Sequence, residues 1–208
     1  LAAETVYQRP EVVTAPQALQ LLAEGNQRYV EGMLFSKNLD GSRRKELFNQ
    51  GQKPFAVVLT CSDSRVPPEL IFDQALGDLF VIRVAGNVVS KVEMGSIEYG
   101  VEHLNTPLLV IMGHENCGAV KATVDGGEVP GSIDSIIEII KPSVENARVA
   151  GFSGADLYEA ATDENTKAMV AEVMKSPVVK HLVDDGRLVV LGAKYHLDSG
   201  RVVFDQTR

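Results

Sequence analysis

The stretch FAVVLTCSDSRVPPE, residues 55–69, joins an apolar run to a thiol, a carboxylate and a guanidinium. A near-continuous run of Val and Leu is the pattern of a strand covered on both faces, as in a parallel sheet. Cys61 sits where that run stops, with Asp63 and Arg65 just beyond it. A structural cysteine wants apolar neighbours, whereas a thiolate wants a cation or a metal. The stretch therefore sets up both a parallel strand and a question about what its terminus does.

Outward from it, LFVIRVA (79–85), PLLVIMG (107–113) and LVVLGAKYHL (188–197) are further strand candidates rich in Val, Ile and Leu. The first two read, like 55–61, as covered on both faces. MGSIEYGVEHL (94–104) and CGAVKATVDGG (117–127), lying between strands, carry helical patterning. The alternation predicts an α/β fold with a central, mainly parallel β-sheet flanked by helices. KYHLDSGRVVFD (194–205) predicts a hairpin turning at DSG, and so a C-terminal antiparallel edge strand.

At the other end, PQALQLLAEGNQRYVEG (16–32) has Pro at a helix start and Leu19, Leu22 and Tyr29 near one face. It predicts an N-terminal helix behind an extended arm formed by the first fifteen residues. A short helix is expected around GSRRKELFNQG (41–51). SIDSIIEIIKPSVENARVAG (132–151) reads as a helix interrupted at Pro142. Residues 155–186 read as two helices meeting at Ser176-Pro177, with Ser as N-cap and Pro following it. No repeat, linker or low-complexity tract divides the chain, so residues 1–208 are expected to form one domain, with 1–32 as its arm and first helix.

Composition narrows the function classes. A formal net charge of -8 argues against a nucleic-acid partner, which would want a basic face. No apolar run approaches the roughly 18 residues of a membrane span, so no membrane partner is expected. Two cysteines are too few for a disulfide framework. The start, LAAET, lacks Met and has the small residues of a signal-peptidase site. The expected compartment is a bacterial periplasm, with the cytoplasm as the alternative.

The candidate chemistry gathers at strand ends. Cys61 ends the first strand, His114 ends the third within GHENCG, and Cys117 opens the next helix. In a parallel sheet, functional groups collect beyond the carboxyl ends of strands. A lone cysteine or histidine is ordinarily a packing residue. Here both cysteines and one histidine fall at such ends, next to charge. Two thiolates and an imidazole form a zinc-type ligand set, and three protein ligands leave a fourth position open, as in catalytic sites. A phosphatase-like thiol loop would set its arginine farther from the cysteine than Arg65 stands, and no C-x-x-C is present for a redox pair.

CSDSRVPPE, DLFVIRVAGN, GSIEYGVEHL and GHENCGAV, in this order, resemble the β-class carbonic anhydrases. The similarity runs from about GQKPF to GAVKA and more diffusely to the last strand. The resemblance implies one Zn²⁺ per subunit on Cys61, His114 and Cys117, with Asp63 and Arg65 as the catalytic dyad. It implies reversible hydration of CO₂ to bicarbonate and a proton by zinc-bound hydroxide. Gln52, Phe80, Tyr99 and Gly118 match substrate-binding positions of the plant-type, open-site branch, where the pocket is completed across a dimer interface. The implied assembly is a homodimer or a dimer of dimers. Asp63 could also become an exchangeable fourth zinc ligand in a closed state. The branch with a noncatalytic bicarbonate site uses a Trp, and this chain has none, so an Arg65-paired Asp63 is expected. Two readings stand beside the main one: a related zinc hydrolase acting on CS₂ or COS, and a non-catalytic zinc-binding regulatory homologue. His103, one turn beyond Tyr99, is a candidate proton relay or simply a surface histidine. Gly100 in a helical pattern costs about 1 kcal/mol against Ala for no reason visible in the sequence.

Overall fold

The computed structural model describes residues 14–37 and 39–205. Nearly all of the expected N-terminal arm lies outside them. Among the described residues the sheet has five strands: β1 (Ala56–Thr60), β2 (Leu79–Arg83), β3 (Leu108–His114), β4 (Val189–Tyr195) and β5 (Val202–Phe204). Their order is β2-β1-β3-β4-β5. The first four run parallel, and β5 pairs antiparallel with β4, Tyr195 opposite Val202. The α/β architecture with an antiparallel edge follows the sequence pattern. β1 and β3 are buried along their whole length, which is why they read as unbroken apolar runs. β2 departs from expectation: its residues are only half-buried or exposed, because among the described residues it is an edge strand with one neighbour.

Helix α1 (Ala15–Glu31) begins with a Thr14/Gln17 capping box and Pro16 in its first turn. Its Asn26 amide ties three segments together. It donates to the carbonyls of Ile71 and Gly200 and accepts from the Val202 amide, at 3.2, 2.8 and 2.8 Å. Helix α2 (Gly41–Gln50) is capped by Asp40, and a short helix α3 (Pro68–Ile71) begins at the second proline of VPP. Helix α4 (Lys91–Glu98) starts earlier than its apolar spacing suggested, because Ser90 and Glu93 form a capping box. It passes into a π-helical turn over Tyr99–His103.

Helices α5 (Gly118–Asp125), α6 (Ile133–Val149), α7 (Gly154–Val173) and α8 (Pro177–Asp184) complete the layers, with the Ser176 hydroxyl capping α8. α6 is not interrupted at Pro142. That residue and Lys141 before it are exposed, so the Glu138 carbonyl, left without its i+4 donor, has water at hand. α7 packs on β3 and β4. Its approach to β3 is close enough that a Cβ on Gly113 would stand 2.3 Å from the Thr166 hydroxyl oxygen. This contact brings α7 to the carboxyl end of β3. Among the described residues no helix is long and apolar enough to cross a membrane.

Candidate metal centre and active site

β1 and β3 are hydrogen-bonded parallel neighbours, so their carboxyl ends lie side by side. Cys61 follows the last residue of β1, His114 is the last residue of β3, and Cys117 is the N-cap of α5. The Cys61 and Cys117 sulfurs and a His114 ring nitrogen all lie within 4.8 Å of one another, and all three residues are buried. Topology thus brings Cys61 to His114 and Cys117, more than fifty positions further along the sequence.

Each ligand sulfur has its partners set by backbone amides. The Cys61 sulfur accepts from the amides of Asp63 and Gly86 at 3.4 and 3.3 Å. Gly86, at φ +72° inside a tight turn over Ala85–Asn87, takes a conformation that disfavours a side chain. Its carbonyl receives the Asn165 side-chain amide from α7 at 2.8 Å. The Cys117 sulfur is served by the amides of Ala119 and Val120 in the first turn of α5. The hydrogen bond from Cys117 lowers the Cys61 thiol against its burial, while Cys117 is pushed up by that same contact and by burial. A cation here meets two sulfur donors already turned together.

His114 supplies the test of fit. Its Nδ1 lies 2.7 Å from the Glu115 carbonyl oxygen, which only accepts, so Nδ1 carries the proton. Nε2 therefore presents a lone pair. It is fully buried, has no hydrogen-bond partner among the described residues, and faces the sulfurs. An orphaned acceptor of this kind is costly unless something binds it. With two sulfurs at hand, the donor set fits a thiophilic divalent metal.

Asp63 and Arg65 stand beside this centre. Arg65 donates its backbone amide and Nε to Asp63 Oδ1, both at 2.9 Å, and Nη2 to Oδ2 at 2.7 Å. Those bonds hold the Asp63 carboxyl at about 2. Asp63 Oδ2 lies 4.0 Å from His114 Nε2. Arg65 Nη2 also reaches the Asn116 carbonyl at 3.3 Å, which links the dyad to the turn between His114 and Cys117.

The substrate-binding candidates divide. Gly118 is the first residue of α5, and a Cβ there would meet nothing within 4 Å. Phe80 pairs with Val57 in the sheet register. That places it four residues, roughly 13 Å at ~3.3 Å per residue, towards the amino end from Cys61. Tyr99 lies at that same pole, its ring 6.0 Å from that of Phe80 and stacked on His103 at 4.7 Å. Gln52 is exposed in the loop before the amino end of β1. Within one chain these three residues and the metal ligands occupy opposite ends of the sheet.

Further residues shape the site with little or no sign of it in the sequence. Arg83 donates to the carbonyls of Cys61, at 3.0 Å, and Asp63, clamping the CSD loop from β2. A charge inside the apolar run LFVIRVA was its only sequence signal. Asn165, Glu115 and His196 carry no local signal, since their partners lie far along the chain or across the sheet.

Comparison with known proteins places this geometry. A family profile for carbonic anhydrase matches residues 56–202. The chain is 43% identical over 189 residues to a carbonic anhydrase of Mycolicibacterium smegmatis, covering 89% of this chain and 90% of that one. Among solved structures, it is similar to a Coccomyxa β-carbonic anhydrase in complex with acetazolamide. The TM-score is 0.72 and the identity 30%, over 89% of this chain and 85% of that one. It is also similar to one of two tetrameric β-carbonic anhydrases from Sordaria macrospora, with a TM-score of 0.73 and 26% identity over 79% and 86% of the two chains. With the profile spanning the Cys, His and Cys positions and the sheet that carries them, the chain belongs to the β-class carbonic anhydrase family.

Proposed function

We propose that the chain interconverts CO₂ and water with bicarbonate and a proton, using a zinc ion held by Cys61, His114 and Cys117. The observation that carries this reading is the convergence of two sulfurs and an orphaned imidazole nitrogen beside a carboxylate locked to an arginine. Sulfur and imidazole donors suit zinc, and three protein ligands leave a fourth position for chemistry. Bound zinc lowers the pKa of a coordinated water from about 15.7 towards about 7, which supplies hydroxide near neutral pH.

The chain's own residues orient the reaction. A carboxylate offers about four lone-pair sites on its two oxygens. Arg65 takes two on Oδ1 and one on Oδ2. The remaining site is on Oδ2, the atom 4.0 Å from His114 Nε2. It accepts the hydrogen of the attacking oxygen and so turns that oxygen's lone pair towards CO₂. Arg65 keeps Asp63 ionised, an acceptor only, throughout. Such a dyad has no use in a purely structural site, which argues against a non-catalytic role. Gly118 leaves space for substrate beside Cys117.

A second copy completes the pocket in this reading. Gln52, Phe80 and Tyr99 sit at the far pole of their own chain, Tyr99 is 46% exposed, and β2 is an edge strand. These features support a homodimer, or a dimer of dimers, in which that pole meets the partner's metal rim. Aromatic edges with one amide donor suit a small apolar substrate. Stopped-flow CO₂ hydration by the zinc-loaded chain tests both parts. Cys61→Ser and Gln52→Ala copies should each be impaired, and mixing them should restore activity, since a mixed dimer keeps one intact site. A zinc-loaded wild type without hydration would end the reading. Mixing without recovery would end its two-copy part.

A further inference from the structure

The turn His114–Cys117 carries two of the three proposed ligands, and it is held from outside by groups with no part in the reaction. Glu115 is fixed at three points. Its amide donates to the Tyr195 carbonyl at 3.1 Å, and its own carbonyl accepts from His114 Nδ1 at 2.7 Å. Its carboxylate is gripped by His196 Nδ1 at 2.6 Å and by the Leu197 amide at 2.9 Å. A carboxylate only accepts, so His196 Nδ1 carries the shared proton. The neighbouring Asn116 takes φ +51°, unusual for a residue with a side chain. Its amide is held by Glu159 at 3.0 Å, and Glu159 is in turn paired with Lys194 at 2.9 Å.

We propose that His196 is a positioning residue for the metal centre, acting through Glu115 on the orientation of the His114 ring. The path is short and directional. His196 fixes the Glu115 side chain, the fixed residue points its carbonyl at Nδ1, and that bond sets both the tautomer and the ring plane of His114. A metal-bound histidine depends on such an outer partner for its orientation and basicity. Here the outer partner is a backbone carbonyl in a turn that passes through the left-handed region at Asn116, and the carboxylate–imidazole pair behind it helps hold that carbonyl in place. The Glu115 carboxylate receives two hydrogen bonds, and removing either leaves a partly buried charge short of a donor.

The inference rests on the zinc reading above, and its test separates the two. His196 borders a cavity of about 250 Å³ that is also lined by Thr166, Lys167 and Asp205, so substitutions there leave the core untouched. The experiment is the rate at which a colorimetric chelator strips zinc from the purified holoenzyme, for wild type, His196→Phe, His196→Asn and Glu115→Met. The Asn side-chain amide can stand where Nδ1 stood and keep the donor. His196→Phe and Glu115→Met, which has no acceptor for either bond, are expected to lose zinc about tenfold faster than wild type, the low end for outer partners of a metal ligand, with His196→Asn within about threefold of wild type. A merely structural role would not be rescued by the donor alone. Wild-type rates in both His196→Phe and Glu115→Met would overturn the inference, as would His196→Asn behaving like His196→Phe. Should His196→Phe not fold, Glu115→Met, which nearly keeps side-chain volume, decides alone. A wild type that binds no zinc would bring down the underlying reading and the inference with it.

Discussion

Replacing Asp63 by Asn changes one atom, and the structure fixes which one. Arg65 places two donors on Oδ1 and one on Oδ2. An amide nitrogen at the Oδ1 position would face two donors. At the Oδ2 position it faces one, so the substituted side chain settles with its nitrogen there. That is the atom nearer His114 Nε2, so the replacement puts a donor where the proposed reaction needs an acceptor. Loss of one oriented polar contact to the reacting atoms costs on the order of 10²–10³ in rate, about 2.7–4 kcal/mol. Folding should hardly notice, because the Arg65 side chain is 52% exposed and a solvent-screened pair is worth under about 1 kcal/mol. The assay is stopped-flow CO₂ hydration with a pH indicator, alongside zinc content and thermal melting of the same preparations. The expected result is a rate at least about a hundredfold lower, with zinc content and melting temperature close to wild type. A variant with near-wild-type turnover would refute the orienting role. A rate loss that merely tracked lost zinc would refute it too.

Other predictions concern the frame that holds the site. Asp73 is fully buried and bonded by Arg28 at 2.6 Å, by Lys37, and by the Phe35 amide at 3.1 Å. Burial alone would raise its pKa, but those hydrogen bonds together outweigh burial and hold it below the ordinary carboxylate value. A depressed folded pKa stabilises above the unfolded value of about 3.9, and that contribution fades as pH falls through the folded value. Asp73→Asn should therefore cost about 3 kcal/mol in urea unfolding at neutral pH, with the gap to wild type narrowing only below about pH 4. A gap that widens on acidification would contradict the assignment. Gly100→Ala sets helix propensity against packing. Ala is favoured by about 1 kcal/mol in a helix, but its Cβ would stand 2.7 Å from Val57 Cγ2 and 3.1 Å from Phe80 Cδ1. Overpacking of that kind costs roughly 1–3 kcal/mol, so a lowered melting temperature is expected and a raised one would show that the contact yields freely.

The contrast between Cys61 and His196 shows what a sequence of this kind reveals. Cys61 was legible because an apolar run ends on it, and the end of a parallel strand is a place with chemical meaning. His114 and Cys117 were legible for the same reason, and the parallel pairing of β1 with β3 brings all three together. His196 was silent because its meaning lies in a hydrogen bond to a residue 81 positions away. Asn165 was silent likewise, 79 positions from Gly86. Gly100 looked like a cost without a cause until the register set Phe80 and Val57 against it. Pro142 misled for the opposite reason: a local rule was applied without knowing that this helix face meets solvent. Gln52, Phe80 and Tyr99 show another limit, since strand direction alone separates them from the ligands in one chain.

The measurement that bears most directly on the central claim is zinc stoichiometry combined with X-ray absorption at the zinc edge on the purified chain. The account predicts one zinc per chain, with two sulfur scatterers at about 2.3 Å and a nitrogen or oxygen shell at about 2.0 Å. A chain that carries no zinc, or a zinc with fewer than two sulfur neighbours, would contradict it.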